Sequence, residues 1–232
     1  MKVTEIFYSL QGEGFLAGAP SVFVRLWGCA LRCKWCDTKY SWEHKAGKDH
    51  SISQILETVM KWPCRHIVIT GGEPMINPDF SHRSELPELI TGLKSKKKHI
   101  TIETAGISFI PNLRCDLMSI SPKLSNSTPK VPAAAKVHND SRLDTAVLRA
   151  LIDEYDYQLK FVVESASDID EISQTIDKVG NVDCRKVMLM PQAGTRDELL
   201  ERSPMVAKLC KETGFAFSPR LQVLIWNNEK GT

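Results

Sequence analysis

Cys29, Cys33 and Cys36 stand together in "GCALRCKWCDT", residues 28–38, spaced C-x3-C-x2-C. No fourth cysteine follows at a comparable distance. Three thiolates can ligate three irons of a [4Fe–4S] cluster. The remaining iron is then free to take a small molecule, the logic of an open metal site. The competing reading is zinc, with His44 or Asp37 as fourth ligand. Zinc sites usually add a second pair of ligands further along, and no such pair follows. The other cysteines, Cys64, Cys115, Cys184 and Cys210, are scattered among apolar or helical stretches and read as small core residues.

A loop of this kind must be carried by a scaffold, and the chain supplies an alternating one. "SVFVRLW" (21–27), "HIVIT" (66–70), "HITIET" (99–104), "DLMSIS" (116–121), "YQLKFVV" (157–163) and "KVMLM" (186–190) read as strands. Several are apolar nearly throughout, as parallel strands covered on both faces are. Helical patterns fall between them, at 51–60, 84–98, 168–179 and 195–214. Ser51 with Gln54, and Thr195 with Glu198, fit capping boxes. Gly214 fits a helix end, and Pro204 is expected to kink or interrupt the last helix.

The alternation predicts an α/β fold: a parallel sheet with about six strand–helix units, a partial (βα)6-type barrel rather than a closed one. "RLQVLIW" (220–226) is expected to add a last strand. Residues 123–140, rich in Ser, Pro and Ala, read as a long loop or lid. Neither a linker nor an internal repeat is visible, so residues 1–232 are expected to form one domain. Ligands of such folds bind at the C-terminal strand ends. There lie the cysteine loop, "GGEP", "TAG", "SPK" and "PQAG".

The cysteine spacing after a strand resembles that of radical S-adenosylmethionine (SAM) enzymes. In that superfamily SAM chelates the unique iron, and its reductive cleavage yields a radical that takes hydrogen from the substrate. "TGGEP" (70–74) resembles the glycine-rich turn that meets the methionyl group of SAM, with Gly71 and Gly72 permitting close approach. The resemblance also implies SAM contacts from Trp35, Asp37, Glu103, Ser121, Pro122, Lys123 and Gln192. For Trp35 an ordinary core position competes, and for Glu103 and Ser121 a structural hydrogen bond does.

"YSLQGEGFLAGAPSVFVRLWGCALRCKWCDT", "SPK" and "LIWNNEKGT" resemble the 7-carboxy-7-deazaguanine synthase family more narrowly. That resemblance implies conversion of 6-carboxy-5,6,7,8-tetrahydropterin to 7-carboxy-7-deazaguanine and ammonia, on the route to queuosine and other 7-deazapurines. It also implies magnesium, a flavodoxin-like reductant and a homodimer. Leu10, Gln11, Gly12, Glu13, Arg25, Thr70 and Thr232 become candidate substrate residues. Gln11 can both donate and accept. Glu13 can accept from the 2-amino and ring N–H groups, and Arg25 can grip a carboxylate through two bonds. Thr38 offers magnesium an oxygen ligand. The nearest alternatives are an ordinary turn for 11–14, an internal acid as partner of Arg25, and a polar turn residue for Thr38. The chain departs from the family pattern at Gln222, where many members carry histidine, and at "MPQAG", 190–194.

Two other readings stand beside this one. A radical-installing activase would share the cysteine loop and GGEP but has no need of "LQGEG". A non-catalytic iron–sulfur or zinc protein has no need of GGEP. Composition is ordinary: 42% hydrophobic, 25% charged, net charge +2. No apolar run approaches the ~18 residues of a membrane span, and "MKVTEIFYSL" lacks a signal-peptide core. A soluble, cytoplasmic protein without a membrane or nucleic-acid partner is expected. "KSKKKH" (94–99) fits a helix C-terminus, where cations favour the dipole.

Overall fold

In a computed structural model, residues 1–227 and 229–231 are described, with His44 described in its backbone only. One sheet of nine strands runs through them in the order β3-β1-β2-β4-β5-β6-β7-β8-β9. These are β1 (Lys2–Leu10), β2 (Pro20–Leu26), β3 (Lys48–Asp49), β4 (His66–Gly71), β5 (His99–Thr104), β6 (Leu117–Ile120), β7 (Tyr157–Val163), β8 (Val187–Pro191) and β9 (Ala216–Phe217). From β2 onward every neighbouring pair is parallel. β1 pairs antiparallel with β2, and β3 with β1. The edges β3 and β9 do not meet, so the sheet is a partial barrel.

Period-two alternation sorts the strand residues onto two faces. On one face Val22, Val24, Leu26, Ile67, Ile69, Ile100, Ile102, Met118, Leu159, Phe161 and Leu189 join the main core. The helices that cover it are α1 (Ile52–Val59), α2 (Leu86–Ser95), α4 (Thr145–Glu154), α5 (Asp168–Val179) and α6 (Arg196–Thr213), whereas α3 (Pro132–Ser141) lies outside this core and buries only His138. The other face presents Arg25, Thr70, Glu103, Ser119, Lys160 and Met190 to a cavity. The near-apolar look of the strands therefore hid a polar inner row.

Helix α1 carries the full Ser51–Gln54 capping box. At α6 only half the expected box forms. Thr195 accepts from the Glu198 amide, whereas the Glu198 carboxylate accepts from Gly194 instead of Thr195. Helix α6 runs unbroken through Pro204. The carbonyl that loses its donor there belongs to Leu200, an exposed residue that water can serve.

Two further expectations are corrected, and one helix is added. Residues 220–226 form a helix, α7 (Leu221–Trp226), rather than a strand. Its Val223 packs with Ala193 and Leu199, one side chain per turn facing inward, as a helix requires. Residues 123–140 are not a structureless loop: they hold a short turn of helix at Ser125–Ser127 and most of α3. Helix α4, capped by Asp144 at the amides of Ala146 and Val147, was not anticipated.

Candidate active site

The cysteine loop leaves β2 and folds over the C-terminal end of the sheet. Its path is set by close backbone approach. A Cβ on Gly72 would lie 1.9 Å from the Gly28 carbonyl oxygen. The Gly72 amide donates to Leu26 and the Glu73 amide to Gly28. The close approach expected of this turn is thus made to the cysteine loop itself. Glu73 is fully buried and accepts from Thr104 Oγ1 (2.7 Å), the Ala105 amide (2.8 Å) and the Met75 amide (3.3 Å). Burial raises its pKa despite those donors. Arg83 closes the bracket by donating to the carbonyls of Trp27, Gly28 and Glu73.

Cys29, Cys33 and Cys36 all line the cavity. They pack with Leu31, Ala105, Trp35, Trp42 and Ile107 in a small apolar cluster of their own. Burial pushes all three thiols up, Cys33 to about 11, with Lys123 opposing the rise at Cys33. Metal ligation replaces such protons. Among the described residues no three His, Cys, Asp or Glu side chains are arranged to hold a single metal ion. What the three thiols share is one wall of an open cavity, which fits a cluster bound on one side and accessible on the other. Thr38 Oγ1 lies 3.5 Å from Cys36 Sγ and also lines the cavity. The side chain of His44, one candidate fourth ligand for zinc, lies outside the described residues.

His138 supports this loop from α3, a residue sequence reasoning missed. It is buried, accepts from the Arg32 amide through Nδ1 (3.3 Å), and so turns Nε2–H toward Ser127 Oγ (2.9 Å). Burial, with Arg142 and Lys123 nearby, lowers its pKa to about 4. The ring is neutral at physiological pH, as that pair of hydrogen bonds requires.

Nearly every residue expected at the site lines one cavity. Leu10, Gln11, Gly12, Glu13, Arg25, Trp35, Asp37, Thr38, Thr70, Gly72, Glu103, Ser121, Lys123 and Gln192 are among its walls, with the three cysteines. Pro122 is buried but does not line it. Thr232 lies outside the described residues. Trp35 donates its indole N–H to the Asn126 carbonyl, and the Lys123 ammonium sits 5.7 Å from the ring centroid. Lys123 also donates to Ser121 Oγ at 2.8 Å. The side chain and carbonyl of Gln192 both accept from Arg202.

The substrate-side candidates are already bonded to one another. Gln11 accepts from the Glu13 amide and donates to Glu103. Glu13 Oε2 accepts from Lys160 Nζ (2.9 Å), and Oε1 accepts from Gln222 Nε2 (2.7 Å) and Arg220 Nε (3.3 Å). Burial alone would raise the Glu13 pKa. Lys160 and Arg220 outweigh it and hold the carboxyl at about 2. A carboxylate offers about four lone-pair sites. Three are taken, so Glu13 has room for one further donor rather than the two expected. Arg25 Nε donates to Glu5 at 2.6 Å, and Tyr40 donates to the same Glu5 oxygen. The internal acid is therefore a real partner of Arg25, although Arg25 still lines the cavity.

Lys160 and Arg220 were missed. A lone lysine within "YQLKFVV" was the available signal for Lys160. Arg220 has none while residues 220–226 read as a strand.

An open-sided, largely parallel sheet that holds three thiols beside a glycine turn is the arrangement of a radical SAM enzyme. The family model described as the radical SAM superfamily matches residues 27–151. The 7-carboxy-7-deazaguanine synthase of Halobacterium salinarum is 40% identical over all of this chain and 93% of its own length. That of Rhodopirellula baltica is 38% identical over 99% of this chain and 88% of its own. The crystal structure of QueE from Escherichia coli superposes with a TM-score of 0.71 at 24% identity, covering 94% of this chain and 92% of that one. This chain belongs to the 7-carboxy-7-deazaguanine synthase family. A [4Fe–4S] cluster and SAM are the cofactors that membership brings.

Proposed function

We propose that this chain converts 6-carboxy-5,6,7,8-tetrahydropterin to 7-carboxy-7-deazaguanine with release of ammonia. The observation that carries this reading is that the Gln11–Glu13 loop and the cysteine loop line the same cavity. A hydrogen-bonding pocket for a flat heterocycle is thereby placed beside the cluster loop. When bound, the cluster and SAM supply one-electron reduction and hydrogen-atom abstraction.

The chain's own residues hold and orient the substrate. Glu13, fixed as an anion by Lys160 and Arg220, accepts one N–H of the pterin ring. Gln11 is oriented by Glu103 and the Glu13 amide, and Leu10, Gly12 and Thr70 complete that wall. Arg25 keeps Glu5 on Nε and turns its remaining nitrogens toward the substrate carboxylate. Thr38 offers magnesium a hydroxyl on the edge of the cavity. On the cofactor side, Trp35, Asp37, Gly72, Glu103, Ser121, Lys123 and Gln192 take SAM. The family resemblance, rather than any surface feature, carries a homodimer, a flavodoxin-like electron donor and a cytoplasmic location. Among the described residues no helix is long and apolar enough to cross a membrane.

The test is an anaerobic reaction with SAM, reductant, magnesium and the carboxy-tetrahydropterin, followed by mass analysis. Formation of the deazapurine with ammonia supports the reading. Intact pterin beside cleaved SAM would overturn it.

A further inference from the structure

We propose that Arg220 is a positioning residue that ties the substrate loop to the cluster loop, so that the two move as one body. The inference deepens the synthase reading and rests on it for the identity of the substrate. Arg220 is the residue before α7, and its guanidinium is buried. Each of its nitrogens is engaged on a different segment. Nε donates to Glu13 at 3.3 Å, on the substrate loop. Nη2 donates to Asp37 at 2.9 Å, next to the last cluster cysteine. Nη1 donates to the Ala193 carbonyl in the loop after β8.

The backbone around Arg220 makes the same junction. The Leu221 amide donates to the Gly12 carbonyl (3.0 Å), and the Gly14 amide donates to Ser218 Oγ (3.0 Å). Residues 12–14 and 218–222 are therefore stitched together. Arg220, which lines the cavity, extends that seam to the cysteine loop. Glu13 and Asp37 are 24 positions apart in sequence and share no direct bond in this arrangement. The planar fork of one arginine aims fixed N–H donors at both carboxylates at once, whereas a lysine ammonium is a compact point charge on a flexible stem and does not fix their relative position. The consequence is geometric. A shift of the cysteine loop moves the Glu13 carboxylate, and substrate seated on Glu13 constrains the cluster loop in return.

The test uses the anaerobically reconstituted enzyme and the variants Arg220→Gln, Arg220→Lys and Asp37→Asn. Amide hydrogen exchange is read at residues 11–15 and 33–38. Arg220→Gln should raise exchange in both loops by roughly tenfold or more, the loss of charged hydrogen bonds. Arg220→Lys should fail to restore both loops together. Asp37→Asn strips the charge from the cluster-side bond and leaves Arg220's bonds to Glu13 and Ala193 in place, yet at saturating SAM should raise exchange at 11–15 and the KM for the pterin more than it lowers kcat. It also keeps the test alive if an Arg220 variant does not fold. Faster exchange confined to 190–194 and 220–226 in Arg220→Gln, with 33–38 unchanged, would reduce Arg220 to an anchor for α7 and overturn the proposal. So would wild-type exchange at 11–15 in Asp37→Asn. If the wild-type enzyme leaves the pterin untouched, the substrate reading fails, and the exchange results still decide the tie.

Discussion

Lys160 Nζ lies 2.9 Å from Glu13 Oε2, although 147 positions separate the two residues. Lys160 is 3% exposed. Neither charge is tolerable there unpaired, because an unpaired buried charge is costly. The pair converts a buried carboxyl into a fixed anion on the substrate side of the cavity, and Arg220 reinforces it.

That arrangement sets a pH window. Glu13 titrates at about 2 in the folded chain, below its ordinary 4.5. Its contribution to stability is therefore complete above about pH 4.5 and is lost as pH falls through 2. Lys160 is shifted the other way: burial opposes its charge, but Glu13 and Glu103 outweigh burial. Its contribution is complete below its ordinary 10.5 and is lost only at higher pH. Pterin affinity in the wild type should thus show no Glu13 limb between pH 5 and 8. Lys160→Met removes the largest influence lowering the Glu13 pKa, so affinity should weaken progressively on the acid side. Parallel pH profiles of dissociation constant for the two proteins would refute this.

Each of Cys29→Ala, Cys33→Ala and Cys36→Ala should lose the cluster, measured as iron, sulfide and electron paramagnetic resonance after anaerobic reconstitution. Cys64→Ser, Cys115→Ser, Cys184→Ser and Cys210→Ser should keep it. The single S–H of Cys64 is shared between the carbonyls of Pro20 and His66, a task a serine hydroxyl can take over. A full cluster in any of the three loop variants would contradict the ligand assignment.

Arg25 has two claims on it, and stability separates them. Arg25→Lys loses the Nε bond to Glu5, a charged hydrogen bond in a mostly buried setting, and should cost about 1.5–3 kcal/mol in chemical denaturation. Glu5→Gln should cost a similar amount, and the double variant less than the sum. If Arg25 also holds the substrate carboxylate, pterin binding in Arg25→Lys falls roughly 10- to 150-fold while Glu5→Gln binds more nearly like wild type. Full additivity in denaturation would remove the ion pair from the account, and unchanged binding would remove Arg25 from the substrate site.

Thr38→Ala should keep SAM bound to the reconstituted enzyme and lose most of the magnesium stimulation of turnover. The hydroxyl stands at the cavity edge, 3.5 Å from Cys36 Sγ, and magnesium favours oxygen ligands. A wild-type magnesium titration in the variant would leave Thr38 as an ordinary turn residue.

Much of the site was legible in sequence because its chemistry sits on loops with distinctive residue types. The spacing of Cys29, Cys33 and Cys36, and the run Gln11–Glu13, mark themselves by composition. The residues that went unread are those whose partners lie far away in the chain. Lys160 looks like a surface charge on a strand until β7 is seen to face the cavity. Arg220 and Gln222 lie in "RLQVLIW", where a short apolar run fits strand or helix equally well. Only packing of Val223 against Ala193 and Leu199 decides for the helix, and the helix is what brings Gln222 to Glu13. For Arg25 the sequence left two anions open, a substrate carboxylate and an internal acid. Which anion depended on β1 lying antiparallel beside β2, with Glu5 directly opposite Arg25.

Gly12 and Gln222 make the sharpest steric test of that helix. A Cβ on Gly12 would lie 1.8 Å from Gln222 Oε1 and 2.7 Å from its Cδ. The Gln222 backbone nitrogen is 3.2 Å away, tight but nearly tolerable. The obstacle is therefore the far end of one side chain, which can swing away, and the cost falls on what that side chain does. Gly12→Ala should fold, keep its cluster, and push Gln222 off Glu13, breaking the 2.7 Å hydrogen bond. Losing a hydrogen bond to a charged group predicts roughly tenfold or more weaker pterin binding. Gln222→Ala alone should lose a similar factor for the same reason. The double variant Gly12→Ala with Gln222→Ala should then be no worse than either single one, because the methyl group occupies space the glutamine has left. Measured pterin affinities that multiply across the two substitutions would show that Gly12 serves the substrate directly rather than making room for Gln222.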